Sequence, residues 1–115
     1  MKYMLMIYGN EAAMAATRQA DMQQLMGAYG AYTEALKNAG ALIAGDALEP
    51  SGAATTVRIA NGKSQVLNGP YAETKEQLAG YYLVDVSDLD AALAWAARCP
   101  GASHGVMEVR PLRGM

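Results

Sequence analysis

The 115-residue chain is 52% hydrophobic and 17% charged, with eight Met, no Phe and a formal charge of −2. That balance excludes a disordered chain, and the lack of any Lys/Arg run excludes the basic footprint of a nucleic-acid binder. No apolar stretch approaches the roughly 20 residues of a membrane-spanning helix. The opening MKYMLMIYGNE lacks the length and cleavage pattern of a signal peptide, and Cys99 has no second cysteine to pair with. The expectation is one cytoplasmic domain covering residues 1–115.

Lys2 to Tyr8 reads as a strand. Tyr3, Leu5 and Ile7 lie on one face and Met4, Met6 and Tyr8 on the other. Both faces are apolar, which predicts a central strand covered on both sides. Gly9-Asn10 breaks it. From Thr17 to Ala39, the residues Met22, Leu25, Tyr29, Tyr32 and Leu36 recur at steps of three and four, the stripe of an amphipathic helix. Gly40 takes the place of a helix C′ glycine. Ala41 to Leu48 is a short strand interrupted by Gly45, followed by a turn over Glu49-Pro50-Ser51-Gly52.

Thr55 to Ala60 alternates, with Val57 and Ile59 on one face and Thr56 and Arg58 on the other. Asn61-Gly62 then predicts a type I′ hairpin turn, which needs positive φ twice. Ser64 to Leu67 is the return strand, stopped by Asn68-Gly69-Pro70. Gly80 to Val86 is a strand rich in aromatic and β-branched residues. Ser87 is the predicted N-cap of a second helix, with Asp90 completing a capping box. That helix carries Leu89, Ala92, Leu93 and Ala96 and ends near Cys99-Pro100-Gly101; Val106 to Leu112 closes the chain as a strand.

With the hairpin set aside, the order is βαββαβ, an α+β ferredoxin-like fold with both helices on one face of an antiparallel sheet. The other face would be bare and partly apolar. Burying one large apolar side chain is worth about 1.5–3 kcal/mol, so several in a row predict a homodimer whose sheets face each other. Its interface should exceed about 1,000 Å².

The segment from Asn68 to Leu83, NGPYAETKEQLAGYYL, resembles the signature of the DGPF branch of the YCII-related family, roughly DGPF-AETKE-xLxGYY. The opening MKYMLMIY, the stretch LDAALAWAARCP and the closing Glu108-Val-Arg-Pro are similar to that branch as well, so the likeness covers nearly the whole chain. The resemblance implies a dimeric α/β-barrel assembly of ferredoxin-like subunits, with a cleft able to hold a small molecule. Function across the family is mostly unassigned. Some members are enzymes, including a dehydrochlorinase-type branch that relies on a His–Asp pair, and DGPF-type proteins are associated with extracytoplasmic-function sigma factors. Two departures matter. Asn68 stands for the family's Asp and Tyr71 for its Phe, and Asn is no general base. His104, the one histidine, precedes the last strand, so a helix-one His–Asp dyad does not carry over.

Glu73, Thr74, Lys75 and Glu76 follow a Gly-Pro turn as a polar cluster. One reading gives it proton-transfer carboxylates and an anion-binding Lys; the other makes it a solvated turn. Tyr81 and Tyr82 are adjacent in a strand and must point to opposite faces, one under the helices and one toward a cleft or the dimer. Glu108 and Arg110 share a strand face, as an ion pair or as an Arg fork for a substrate carboxylate. His104 reads as a surface residue and Cys99 as an inert, partly buried thiol. No Walker loop, dinucleotide fingerprint, nucleophile elbow or zinc pattern is present, so no cofactor and no metal are expected.

Three functions compete. In a cofactor-independent enzyme, Glu73, Glu76 and Tyr81 are the catalytic candidates, and Asn68, Tyr71, Lys75 and Arg110 hold the substrate. A non-catalytic ligand-binding or regulatory module is the alternative. The third is a protein-interaction role in a sigma-factor pathway.

Overall fold

A computed structural model describes residues 1–114. Four strands, β1 (Lys2–Gly9), β2 (Leu42–Ala47), β5 (Gln77–Asp85) and β6 (Val106–Pro111), form an antiparallel sheet in the order β2-β5-β1-β6. β1 is central, pairing Leu5 with Tyr82 on one side and with Val109 on the other. Helices α2 (Gln19–Asn38) and α3 (Leu89–Arg98) supply the crossovers of the predicted ferredoxin-like α+β fold. Two short helices, α1 (Glu11–Ala15) and α4 (Gly101–His104), complete the frame.

One sheet face and the helices make the core. Tyr3, Leu5, Ile7 and Val84 from the sheet are buried with Tyr32 and Leu36 of α2 and Ala92 and Ala96 of α3. The Tyr32 hydroxyl donates to the Trp95 carbonyl at 2.7 Å, and its ring meets Tyr82 edge-on with centroids 5.2 Å apart. Among the described residues, no buried side-chain polar atom lacks a hydrogen-bond partner. Met4, Met6, Tyr81 and Leu83 occupy the opposite, open face and are half-buried within the protomer.

Between β2 and β5 the chain makes an excursion. A 3₁₀ turn (Ser51–Ala53) leads into a separate ribbon of β3 (Thr55–Ala60) and β4 (Lys63–Asn68). The turn residues Asn61 and Gly62 have φ of 52° and 75°, the two positive values a type I′ turn needs. Leu48 N–H donates to the Ala79 carbonyl at 2.8 Å, so β2–β5 pairing resumes directly at the base of this excursion.

Three expectations need correcting. The long helix begins at Gln19, and a separate α1 precedes it, capped by Asn10 Oδ1 accepting from Ala13 N–H at 2.9 Å. Five residues are too few for periodicity to reveal a helix. The N-cap of α3 is Asp88, which accepts from Ala91 N–H at 2.9 Å, where Ser87 was expected; Asp caps as well as Ser, so two adjacent cap residues leave the start ambiguous by one. Cys99 is 1% exposed, fully rather than partly buried.

Candidate functional site

One hollow lies beside the C-terminal end of β1, where α1, the first turns of α2 and the Leu48–Pro50 stretch meet. It is an open groove of about 730 Å³, within the size range of small-molecule sites. A second hollow of about 570 Å³ adjoins it, shares Asn10, Met14 and Thr17, and extends toward Tyr29 and His104. Met14, Met22 and Met26 wall the first hollow. Their unbranched thioethers adapt to guests of varied shape. The lower part of the α2 stripe thus divides by depth: Tyr32 and Leu36 are core, while Met22, Leu25 and Tyr29 line the hollows.

Glu11 organises the rim. Its carboxylate accepts from Ser51 N–H at 2.5 Å and from Ser51 Oγ at 2.7 Å, holding down the chain after β2. Its own backbone N–H donates to Gln77 Oε1 at 3.0 Å. Gln77 Nε2 in turn donates to the Thr74 carbonyl at 2.5 Å, and the Thr74 hydroxyl bonds the Glu76 carbonyl. One residue of α1 therefore joins the hollow to the polar loop ahead of β5. Sequence reasoning missed Glu11 and Gln77. The signal available for Glu11 was Asn10-Glu11, a cap residue followed by an acid in the first helical turn.

At the floor, Tyr29 reaches toward Cys99 and the Gly101 backbone. Burial, followed by the neighbouring Cys99 thiol, pushes the Tyr29 hydroxyl pKa above its ordinary value. Burial likewise pushes the Cys99 thiol up, leaving it protonated and unreactive at neutral pH. His104 is exposed, as expected; it ends α4 and lines the second hollow.

The predicted site residues fall into three places. Asn68 ends β4, and Tyr71 is 80% exposed with its ring 5.8 Å from the Arg58 guanidinium. Glu73 and Lys75 stand in solvent and Glu76 is half-buried. Tyr81 and Arg110 lie on the open sheet face, on strands either side of β1. The Tyr81 hydroxyl donates to Asp46 Oδ2 at 3.0 Å, and that carboxylate raises its pKa through the hydrogen bond and its charge. Arg110 pairs with Glu108 at 3.1 Å. None of the seven lines either hollow. Tyr82, as alternation requires, points to the helix face, where its hydroxyl meets Thr33 Oγ1 at 2.8 Å.

A family model for the YCII-related domain matches residues 1–115. The chain belongs to the YCII-related family. An uncharacterized protein of Rhizobium meliloti (strain 1021) is 39% identical over 114 residues, 97% of this chain and 92% of that protein. Among the described residues, no three His, Cys, Asp or Glu gather as metal ligands, and no helix is long and apolar enough to cross a membrane.

Proposed function

We propose that this YCII-related protein, of the DGPF branch, binds a small and mainly apolar molecule in the Met-walled hollow. It acts as a cytoplasmic homodimer whose open sheet faces meet. The observation that carries the reading is the wall of Met14, Met22 and Met26 beside the Glu11 clamp: an adaptable apolar lining with a few fixed polar groups at its edge. Methyl-labelled methionine spectra, recorded while small aromatic and aliphatic acids, alcohols and amines are added, test it. Binders should move the Met14, Met22 and Met26 methyls and leave Met4 unmoved. Shifts confined to Met4 and Met6 would refute the site.

The second reading is a cofactor-independent enzyme. Its catalytic candidates are Glu73, Glu76 and Tyr81, with Asn68, Tyr71, Lys75 and Arg110 holding the substrate. It is favoured by the Gln77 link, which couples the loop carrying Glu73 to Glu76 with the rim of the hollow. Incubating each binder with the protein and analysing it for chemical change separates the two readings. An altered ligand supports catalysis, and loss of turnover in a folded Glu73→Ala/Lys75→Ala/Glu76→Ala variant would assign it to the loop. Turnover that survives in that variant would clear the loop of a catalytic role.

A further inference from the structure

The Met-walled groove beside α1 leaves much of its apolar lining uncovered. Met14, Met26 and Leu48 all line it, and each is 41–55% exposed. The full charges on its walls are all of one sign. Among the described residues, the side chains lining the two hollows include Glu11, Asp21 and Glu49, and neither Lys nor Arg. The other titratable groups there are Tyr8, Tyr29 and His104, all in the second hollow.

These carboxylates are not equivalent. Asp21 lines the second hollow and accepts from Arg18 Nε–H at 3.0 Å, so its charge is matched. Glu11 and Glu49 line the groove, and neither forms an ion pair among the described residues. Glu11 accepts from the Ser51 N–H and hydroxyl, but both donors are neutral. They use about half of the roughly four acceptor positions of a carboxylate and leave its charge in place. A concave apolar lining with unmatched charge of one sign concentrates the field and draws counter-ions to it. An anionic guest would add a further negative charge, and a neutral guest gains nothing from the two already there.

We propose that the groove takes an apolar amine, with its hydrocarbon body against Met14, Met22 and Met26 and its protonated head toward Glu11 and Glu49. An ammonium group offers three donors and no acceptor. That matches the acceptor positions Ser51 leaves open on Glu11 and those of Glu49. The proposal rests on the reading that this groove holds a small molecule and adds the chemical class of that molecule.

Two matched sets of probes test it: hexylamine, hexan-1-ol and hexanoate, and phenethylamine, phenethyl alcohol and phenylacetate. Each is titrated at neutral pH, where the amines are cations and the acids anions, and followed by the methionine methyl spectra. Within each set the amine should bind at least about tenfold more tightly than the acid, with the alcohol between them. The gap should narrow as salt is raised. Glu49→Gln, at an exposed side chain, should weaken the amine by about threefold, strengthen the acid and leave the alcohol unchanged. If no compound of either set moves the Met14, Met22 or Met26 methyls, the groove as a site and the class of its guest both fall. If the alcohols move them but the amines bind no more tightly than the acids, the class alone is overturned. An amine advantage unchanged by salt and by a folded Glu49→Gln variant does not come from these carboxylates, and it too would overturn the class assignment while leaving the groove as a site.

Discussion

Glu11 grips Ser51 with both carboxylate oxygens, one on the backbone N–H and one on the hydroxyl, across forty residues of sequence. The contact ties the first turn of α1 to the chain leaving β2 and so sets the width of the hollow between them. Replacing Glu11 with Ala leaves the Ser51 N–H without its charged acceptor and should destabilise the fold by about 1–3 kcal/mol. Urea unfolding checks this. Ser51→Ala, which keeps the backbone bond, should cost less.

Gly105 follows α4 where the chain crosses β1, and a Cβ placed there would run into the Tyr8 carbonyl oxygen. A backbone atom cannot move aside as a flexible side-chain end can. Gly105→Ala should therefore cost about 1–3 kcal/mol or more. Gly52→Ala, in open space, should stay within about 0.5 kcal/mol. Paired thermal melts distinguish the two.

Tyr29 and Tyr32 have hydroxyls whose pKa burial raises above the ordinary value. A group that holds its proton more tightly when folded contributes full stability below its unfolded pKa, about 10 for tyrosine, and loses it as pH rises beyond. Unfolding free energy should thus fall above about pH 10, by up to about 1.4 kcal/mol per pH unit for each buried phenol. Tyr32→Phe should flatten that slope while losing the Trp95 hydrogen bond, a neutral-pH cost of about 0.5–1.5 kcal/mol.

Cys99 is buried, with its thiol pKa raised by desolvation. A thiol reagent at neutral pH should leave the native protein unmodified and label one sulfur per chain after denaturation, measured by mass. Rapid labelling of the native state would show that the floor of the second hollow opens.

The fold was readable because its signals are local and periodic. Alternation in Lys2–Tyr8, the Asn61-Gly62 turn and the Tyr29–Leu36 stripe each specify one element, and the order of elements specifies the topology. The site was not readable in the same way. Its wall comes from α1, α2 and Leu48–Pro50, brought together only by the tertiary fold, and its organiser Glu11 sits in a helix too short to announce itself. The segment that drew notice in the sequence, Glu73 to Glu76, lies outside both hollows and touches the first only through Gln77. Alternation in the ribbon was legible as a strand with Val57 and Ile59 on one face, but it does not say whether that face is covered; in the two-stranded ribbon both are exposed.

The bond from Leu48 to Ala79 gives the excursion between β2 and β5 a fixed base. Closing a loop across such a base grows in entropic cost only logarithmically, by about 0.6 kcal/mol for each doubling of length. Thirty residues there burden the sheet little more than fifteen would. The segment can therefore lengthen, shorten or change its surface over generations while the sheet and its helices keep their geometry, so that the surface of the excursion and the stability of the fold are inherited as separate traits.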